Sequence, residues 1–266
     1  MRVISLINLK GGVAKTTTAV NMATILAERH GKKVLVIDAD PQANATQFFG
    51  LKGEDCNTIA DILEGDKKID IEDCIYQTKT PGVYIIPSCI DLIECDIASV
   101  RGEDPRRIRR IHGVCAHIHE QNFFNELTGA DEVIDYVIID CPPSFTAASV
   151  AAIYASSDVI IPVKIDAYAL GGMTQLLAQI ANVQNIQPGI RIAGVLVTMW
   201  HKSPAVVQGE ELLRKTGLPV FRQHIRMSDM VDESTFALQS LEAYSPRSAA
   251  GIDYRRFVEE YLQEVR

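Results

Sequence analysis

The chain is short of the features that would move it out of the ordinary globular class. No stretch of its 266 residues is apolar enough over the roughly 20 residues needed to cross a bilayer, so no spanning segment is expected. It opens on a mostly apolar stretch and a loop, not on a basic then apolar leader, and no secretory signal is expected. There is no C-x-x-C pair among Cys56, Cys74, Cys89, Cys95, Cys115 and Cys141, which points to structural thiols in a reducing, cytoplasmic setting. Internal repeats, low-complexity tracts and linkers are absent, so residues 1–266 are expected to form one domain. Positive charge is in deficit: 26 Lys and Arg stand against 34 Asp and Glu, and the net charge is -8. There is no global attraction to phosphate, and any binding to nucleic acid must come from local basic patches. At 47% apolar and 23% charged residues, disorder is excluded.

What is present is an alternation of apolar runs and helical patterns. Strands are expected at Val3 to Leu9, Lys33 to Ile37, Val83 to Ile86, Val137 to Ile139, Val159 to Val163 and Ile192 to Val197, with a last one at Pro219 to Phe221. A helix over Thr16 to His30, ended by Gly31, follows the first strand, and helical segments separate most of the others. Such βα alternation predicts an α/β fold with a mostly parallel twisted sheet covered by helices on both faces.

Chemistry in such a sheet sits at the strand ends. After the first strand comes Lys10-Gly11-Gly12-Val13-Ala14-Lys15-Thr16-Thr17. The phosphate-loop pattern G-x-x-x-x-G-K-[ST] set on Lys15-Thr16 asks for glycine at Leu9 and Ala14, and fails at both. The physical arrangement survives: a tight glycine pair, then Lys15 for outer phosphates and Thr16 for Mg2+, opening a helix whose free N–H groups favour an anion. Alanine at position 14 predicts an unstrained backbone there, since a side chain resists positive φ. Asp38-Ala39-Asp40-Pro41-Gln42-Ala43-Asn44 follows the second strand, and Asp140-Cys141-Pro142-Pro143-Ser144 follows Tyr136 to Ile139. An apolar strand capped by Asp140 reads as a Walker B carboxylate near Mg2+. Either aspartate alone could equally form a turn or cap.

The additional lysine, Lys10, has no role in the ordinary loop. The sequence KGGxxK[ST] resembles the signature of the deviant Walker A ATPases, and the chain resembles the ParA group of partition ATPases among them. The resemblance implies that Lys10 reaches the nucleotide of a partner subunit, that Asp40 positions or activates the attacking water, and that Asp38 lies behind the Mg2+. It implies an ATP-sandwich homodimer in which the nucleotide is held by Lys10, Gly11, Gly12, Val13, Ala14, Lys15, Thr16 and Thr17. The base would be held by Thr198, Met199, Ile225, Arg226 and Ser228. Tyr168-Ala169-Leu170 resembles a segment near the family's dimer face, and Tyr244-Ser245-Pro246 resembles its Y-D-P turn. Two departures stand out: Arg226 replaces a usual proline, and Met230 replaces an arginine that contacts DNA.

The resemblance further implies non-specific DNA as a partner, a ParB-like stimulating protein, and a cytoplasmic, nucleoid-associated location. Lys202, Arg214, Lys215, Arg222 and Arg226 lie in the region that the family uses for DNA. A second basic cluster, Arg101, Arg106, Arg107, Arg109 and Arg110, is diluted by Glu103 and Asp104 and reads equally as a solvated face. With no helix-turn-helix ahead of Val3, operator binding is not expected. A membrane-positioning ATPase of the MinD type shares the loop. It would need a basic amphipathic tail, whereas the stripe Tyr254, Phe257, Val258, Tyr261, Leu262 and Val265 carries Asp253, Glu259, Glu260 and Glu264 on its polar side, so no stable membrane association is expected. A DNA-riding ATPase with a protein cargo stays open, and an iron-sulfur reductase lacks a well-placed cysteine pair. His112, Cys115, His117 and His119 offer metal ligands, but only three share a helix face, and a polar face explains them as well.

Overall fold

The computed structural model describes residues 1–65, 69–102, 104–129, 133–167 and 169–265, without the side chains of Val100 and Leu170. Tyr168 and Glu103, singled out above, lie outside them. Seven strands form one sheet: β1 (Arg2–Leu6), β2 (Val34–Asp38), β3 (Tyr76–Gln77), β4 (Val83–Ile86), β5 (Tyr136–Asp140), β6 (Asp158–Lys164) and β7 (Arg191–Thr198). Their order is β3-β4-β2-β5-β1-β6-β7, and every pairing is parallel except the short β3–β4 edge. This is the mostly parallel α/β sheet that the alternation predicts.

The strands are apolar on both faces because both faces are covered. Leu35, Ile37, Val137 and Ile139 belong to one buried cluster, while Val34, Val36 and Ile138 belong to the other. The second cluster is closed by helix α1 (Lys15–His30), helix α2 (Asn44–Phe48) and the final helix Ala249–Glu264. Tyr254, Phe257, Val258 and Tyr261 are buried in it, with the Phe257 ring edge-on to Phe221 at 4.9 Å. The apolar stripe of the last helix is therefore spent on the core.

Two differences from expectation have simple causes. The first strand stops at Leu6, because residues 7 to 14 already curl toward α1. Pro219 to Phe221 makes only a single parallel bridge, Val195 to Val220, with Pro219 C=O accepting from Val195 N–H at 2.8 Å and Phe221 N–H returning to Val195 C=O at 3.0 Å. The chain touches the sheet for one residue and leaves it.

Candidate functional site

The carboxyl ends of β1, β2, β5 and β6 meet at one edge of the sheet, and in the β2–β5 register Asp38 stands directly beside Asp140. The loop after β1 is pinned by Asn8, whose amide donates to Pro162 C=O at 2.7 Å while its Oδ1 accepts from Lys10 N–H at 2.9 Å. Sequence reasoning gave Asn8 no part; its signal is a polar residue, 5% exposed, just past an apolar strand. Gly12 and Ala14 both have φ of 66°, so Ala14 is left-handed and the expectation of an unstrained backbone there is wrong. The cost of about 1–2 kcal/mol is held down by α1, since Ala14 C=O accepts from Thr18 N–H at 2.9 Å and Thr18 Oγ1 at 2.6 Å. The template glycine at this position is thus explained by the conformation, and alanine adopts it under constraint.

Lys15 is 7% exposed and donates to Lys10 C=O at 3.1 Å, bridging the loop on itself. Thr16 Oγ1 donates to Asp140 Oδ2 at 2.6 Å. Lys10 Nζ lies 2.6 Å and 2.5 Å from the two carboxylate oxygens of Asp166, a residue just after β6 that the sequence reading did not use. The structure thus gathers Lys10, Lys15, Thr16, Asp38, Asp40 and Asp140 at one place.

A buried ammonium with Asp140 and Asp40 near it, and Asp38 beside Asp140, sets the electrostatics. Asp38 and Asp140 are fully buried and Asp40 is 6% exposed. Burial pushes the Asp38 carboxyl up to about 6, and burial with the neighbouring Asp38 charge raises Asp140 well above the usual range. Burial lowers Lys15, and Asp140, Cys141 and Asp40 pull it back. Asp140 Oδ1 is buried with no hydrogen-bond partner among the described residues. An orphaned carboxylate oxygen next to a threonine hydroxyl fits a hard dication such as Mg2+. Among the described residues no three His, Cys, Asp or Glu side chains could hold a metal alone, so the remaining ligands would be phosphate oxygens and water.

Beside the loop, Thr198, Met199, Ile225, Arg226 and Ser228 line one pocket of about 110 Å³ together with Ala14 and Thr17. Thr198 Oγ1 donates to Val13 C=O at 3.1 Å, tying the end of β7 to the loop. Met199 is left-handed, with φ of 51°. Arg226 is clamped to the buried Asp253: its Nε donates at 2.7 Å and its Nη2 at 2.8 Å to the two oxygens. At the position where the sequence resemblance leads one to expect proline, the pocket wall is built with a bidentate ion pair to the last helix. A second cleft of about 580 Å³, lined by Thr16, Thr17, Asn44, Gln47 and Phe236, adjoins it.

The basic residues divide. Lys202, Lys215 and Arg222 are exposed. Arg214 is engaged by Glu210 at 2.6 Å and by the Phe221 carbonyl at 2.9 Å, and Arg226 is held as above. In the cluster from Arg101 to Arg110, Arg107 is buried and donates to the carbonyls of Leu63 and Cys95, at 3.0 Å and 2.8 Å, and Arg110 contacts Asp104 and Leu63 C=O. These two arginines staple helices together. His117 bonds Glu72, His112 meets the Tyr154 ring edge at 5.6 Å, and burial pushes the Cys115 thiol up to about 12.

Comparisons with known proteins agree with this geometry. A family described as an AAA domain matches residues 1–192. The chromosome partitioning protein ParA of Caulobacter vibrioides is 31% identical over all of this chain and 96% of its own length. The sporulation initiation inhibitor protein Soj of Bacillus subtilis is 38% identical over 74% of this chain and 72% of its own. A structure of cobyrinic acid a,c-diamide synthase from Mycobacterium smegmatis, with a bound ATP analogue and magnesium, superposes with a TM-score of 0.81 at 26% identity, covering 100% of this chain and 96% of that one.

Proposed function

The chain belongs to the ParA/Soj family of P-loop ATPases, and from that membership we propose that it is an ATP-switched partition ATPase that rides on DNA. The observation that carries the proposal is the double-lysine loop gathered with Asp38, Asp40 and Asp140 at one sheet edge. ATP would lie along residues 11 to 17, whose N–H groups open α1, with its base in the pocket of Thr198, Met199, Ile225, Arg226 and Ser228. Lys15, bridging its own loop through Lys10 C=O, turns to the outer phosphates. Thr16 and Asp140 would hold Mg2+, with Asp38 behind them. Mg2+, when bound, neutralises charge on the β- and γ-phosphates. Asp40 is fixed by the Gln42 N–H on its Oδ1 at 2.9 Å, and orients the attacking water. Lys10 leaves Asp166 to complete the site of a second subunit.

Dimerisation then acts on DNA by doubling contacts. One subunit offers Lys202, Lys215 and Arg222 as exposed cations in the family's region, too few for tight binding by a chain of net charge -8. Counterion release makes affinity rise steeply with the number of phosphates contacted. Slow hydrolysis, stimulated by a ParB-like partner on the cargo, returns the protein to monomers, in the cytoplasm and on the nucleoid. The docked helix Ala249–Glu264 speaks against the membrane-surface alternative, since most of its apolar side is buried in the core.

The test is the oligomeric state and the binding of random-sequence duplex in the apo, ADP and ATP states. A dimer and strong DNA binding are expected with ATP alone. A monomer throughout, or equal DNA binding in all three, overturns the proposal.

A further inference from the structure

The segment that carries Asp40 is folded onto a single carboxylate. Asp38 Oδ1 accepts from the Asp40 N–H at 3.2 Å, and Oδ2 accepts from both the Thr46 N–H at 2.8 Å and Thr46 Oγ1 at 2.7 Å. Both ends of the loop between β2 and α2 are thus tied to one side chain. Thr46 is fully buried, and its hydroxyl also accepts from the Ser88 N–H at 2.9 Å. An amide N–H can only donate and a hydroxyl has one proton, so the direction is fixed: Ser88 N–H to Thr46, and Thr46 O–H to Asp38. Between these ties Asp40 C=O accepts from Ala43 N–H at 2.9 Å, and Ala43 is left-handed, with φ of 53°. The loop holds a conformation that a free chain would leave.

We propose that Thr46 is a positioning residue for ATP hydrolysis. Acting through Asp38, its hydroxyl locks the loop that aims Asp40, and ties that loop to the end of β4. The inference rests on the assignment of Asp40 to the attacking water. Thr46 itself touches neither phosphate nor metal in this scheme. Replacing its hydroxyl by a methyl leaves the Ser88 N–H buried and unpaired and takes one donor from Asp38 Oδ2. The binding loop at residues 10 to 17 keeps all its own contacts. The effect therefore falls on the chemical step and spares binding.

The test compares wild type with Thr46→Val, Thr46→Ser and Asp40→Ala, measuring steady-state Mg-ATP turnover, KM, ADP affinity by calorimetry and thermal midpoint. Thr46→Val should lower kcat about 10- to 100-fold, the scale of a misplacement near 1 Å, with KM and ADP affinity within about threefold. Thr46→Ser, which restores the hydroxyl, should recover kcat to within about threefold of wild type. If Thr46→Val does not fold, Thr46→Ala is judged by the same criteria. Wild-type turnover in Thr46→Val, a Thr46→Ser as impaired as Thr46→Val, or kcat falling in step with the fraction of ADP-binding sites each overturns the inference. Asp40→Ala separates the two levels: normal turnover in that variant removes the Asp40 assignment itself, whereas an inactive Asp40→Ala beside a fully active Thr46→Val removes Thr46 alone.

Discussion

Two fully buried aspartates stand at opposite ends of the sheet, and they are provided for very differently. Asp158, at the start of β6, accepts from Arg191 Nε at 2.8 Å on one oxygen and from Arg2 Nη1 and Tyr261 Oη, each at 3.0 Å, on the other. Asp140, at the end of β5, accepts from Thr16 on one oxygen and, among the described residues, from nothing on the other, with Asp38 alongside. The first carboxylate closes the fold, joining the first strand, β7 and the last helix through one side chain. The second keeps one unpartnered oxygen among the described residues, at the sheet edge proposed above to take Mg2+ and phosphate. Burial does not separate these two residues; the count of satisfied oxygens does.

Substitution should split the pair in opposite directions. Asp140→Asn should cut Mg-ATP turnover by at least about 100-fold without lowering the thermal midpoint of the apo protein, since it removes a charge that burial opposes. Turnover and calorimetry on the same preparation measure both, and a less stable but active variant would erase the contrast. Asp158→Asn should do the reverse, costing about 2–3 kcal/mol of unfolding free energy in urea, toward the low end for a broken buried pair because both arginines are part-exposed. Its turnover per folded molecule should stay near wild type.

A pH series sharpens the comparison at the nucleotide end. Asp38 is pushed up to about 6 by burial, whereas the unfolded value is about 3.9. Between these values the folded chain holds a proton that the unfolded chain has released, so this group's contribution is most favourable below the lower value and is lost as pH rises through the upper one. The stability of apo Asp38→Asn relative to wild type should therefore fall as pH is lowered from 7 to 4, as read from urea midpoints. A difference independent of pH would place the Asp38 proton elsewhere. The smallest effect belongs to Ala14→Gly: relief of the left-handed alanine, set against glycine's greater chain entropy, should raise stability by at most about 1 kcal/mol. A fall in thermal midpoint would mean that the methyl group, 14 residues into the chain, contributes packing that outweighs the strain.

Much of the fold was legible because parallel strands buried on both faces read as continuous apolar runs. Val83–Ile86 appears with the bounds expected, and β2 and β5 to β7 differ by a residue or so at their ends. Tyr76–Gln77 was missed because two residues on an antiparallel edge carry no periodicity. At the site, the lysines and carboxylates could be found because spacing along the chain fixes them on the loop and the strand ends. Ala14 misled because residue type reports preference, and the hydrogen bonds from Thr18 override it. The pairings of Asp166, Asp158 and Asp253, the last read as part of a polar helix side but in fact buried, were missed for another reason: their partners Lys10, Arg2 and Arg226 lie 156, 156 and 27 residues away, so only the folded chain brings them together. The clamp on Arg226 likewise turns a departure from the family pattern into part of a pocket wall.

The proposed coupling of ATP to dimerisation through Lys10 is tested most directly by sedimentation of the Asp40→Ala protein, which should retain ATP, with and without the further change Lys10→Ala. With Mg-ATP the first should sediment as a dimer and the second as a monomer, although both bind the nucleotide; with ADP both should be monomers. A Lys10→Ala protein that dimerises as well as its parent, or a parent that stays monomeric with ATP bound, would contradict the account.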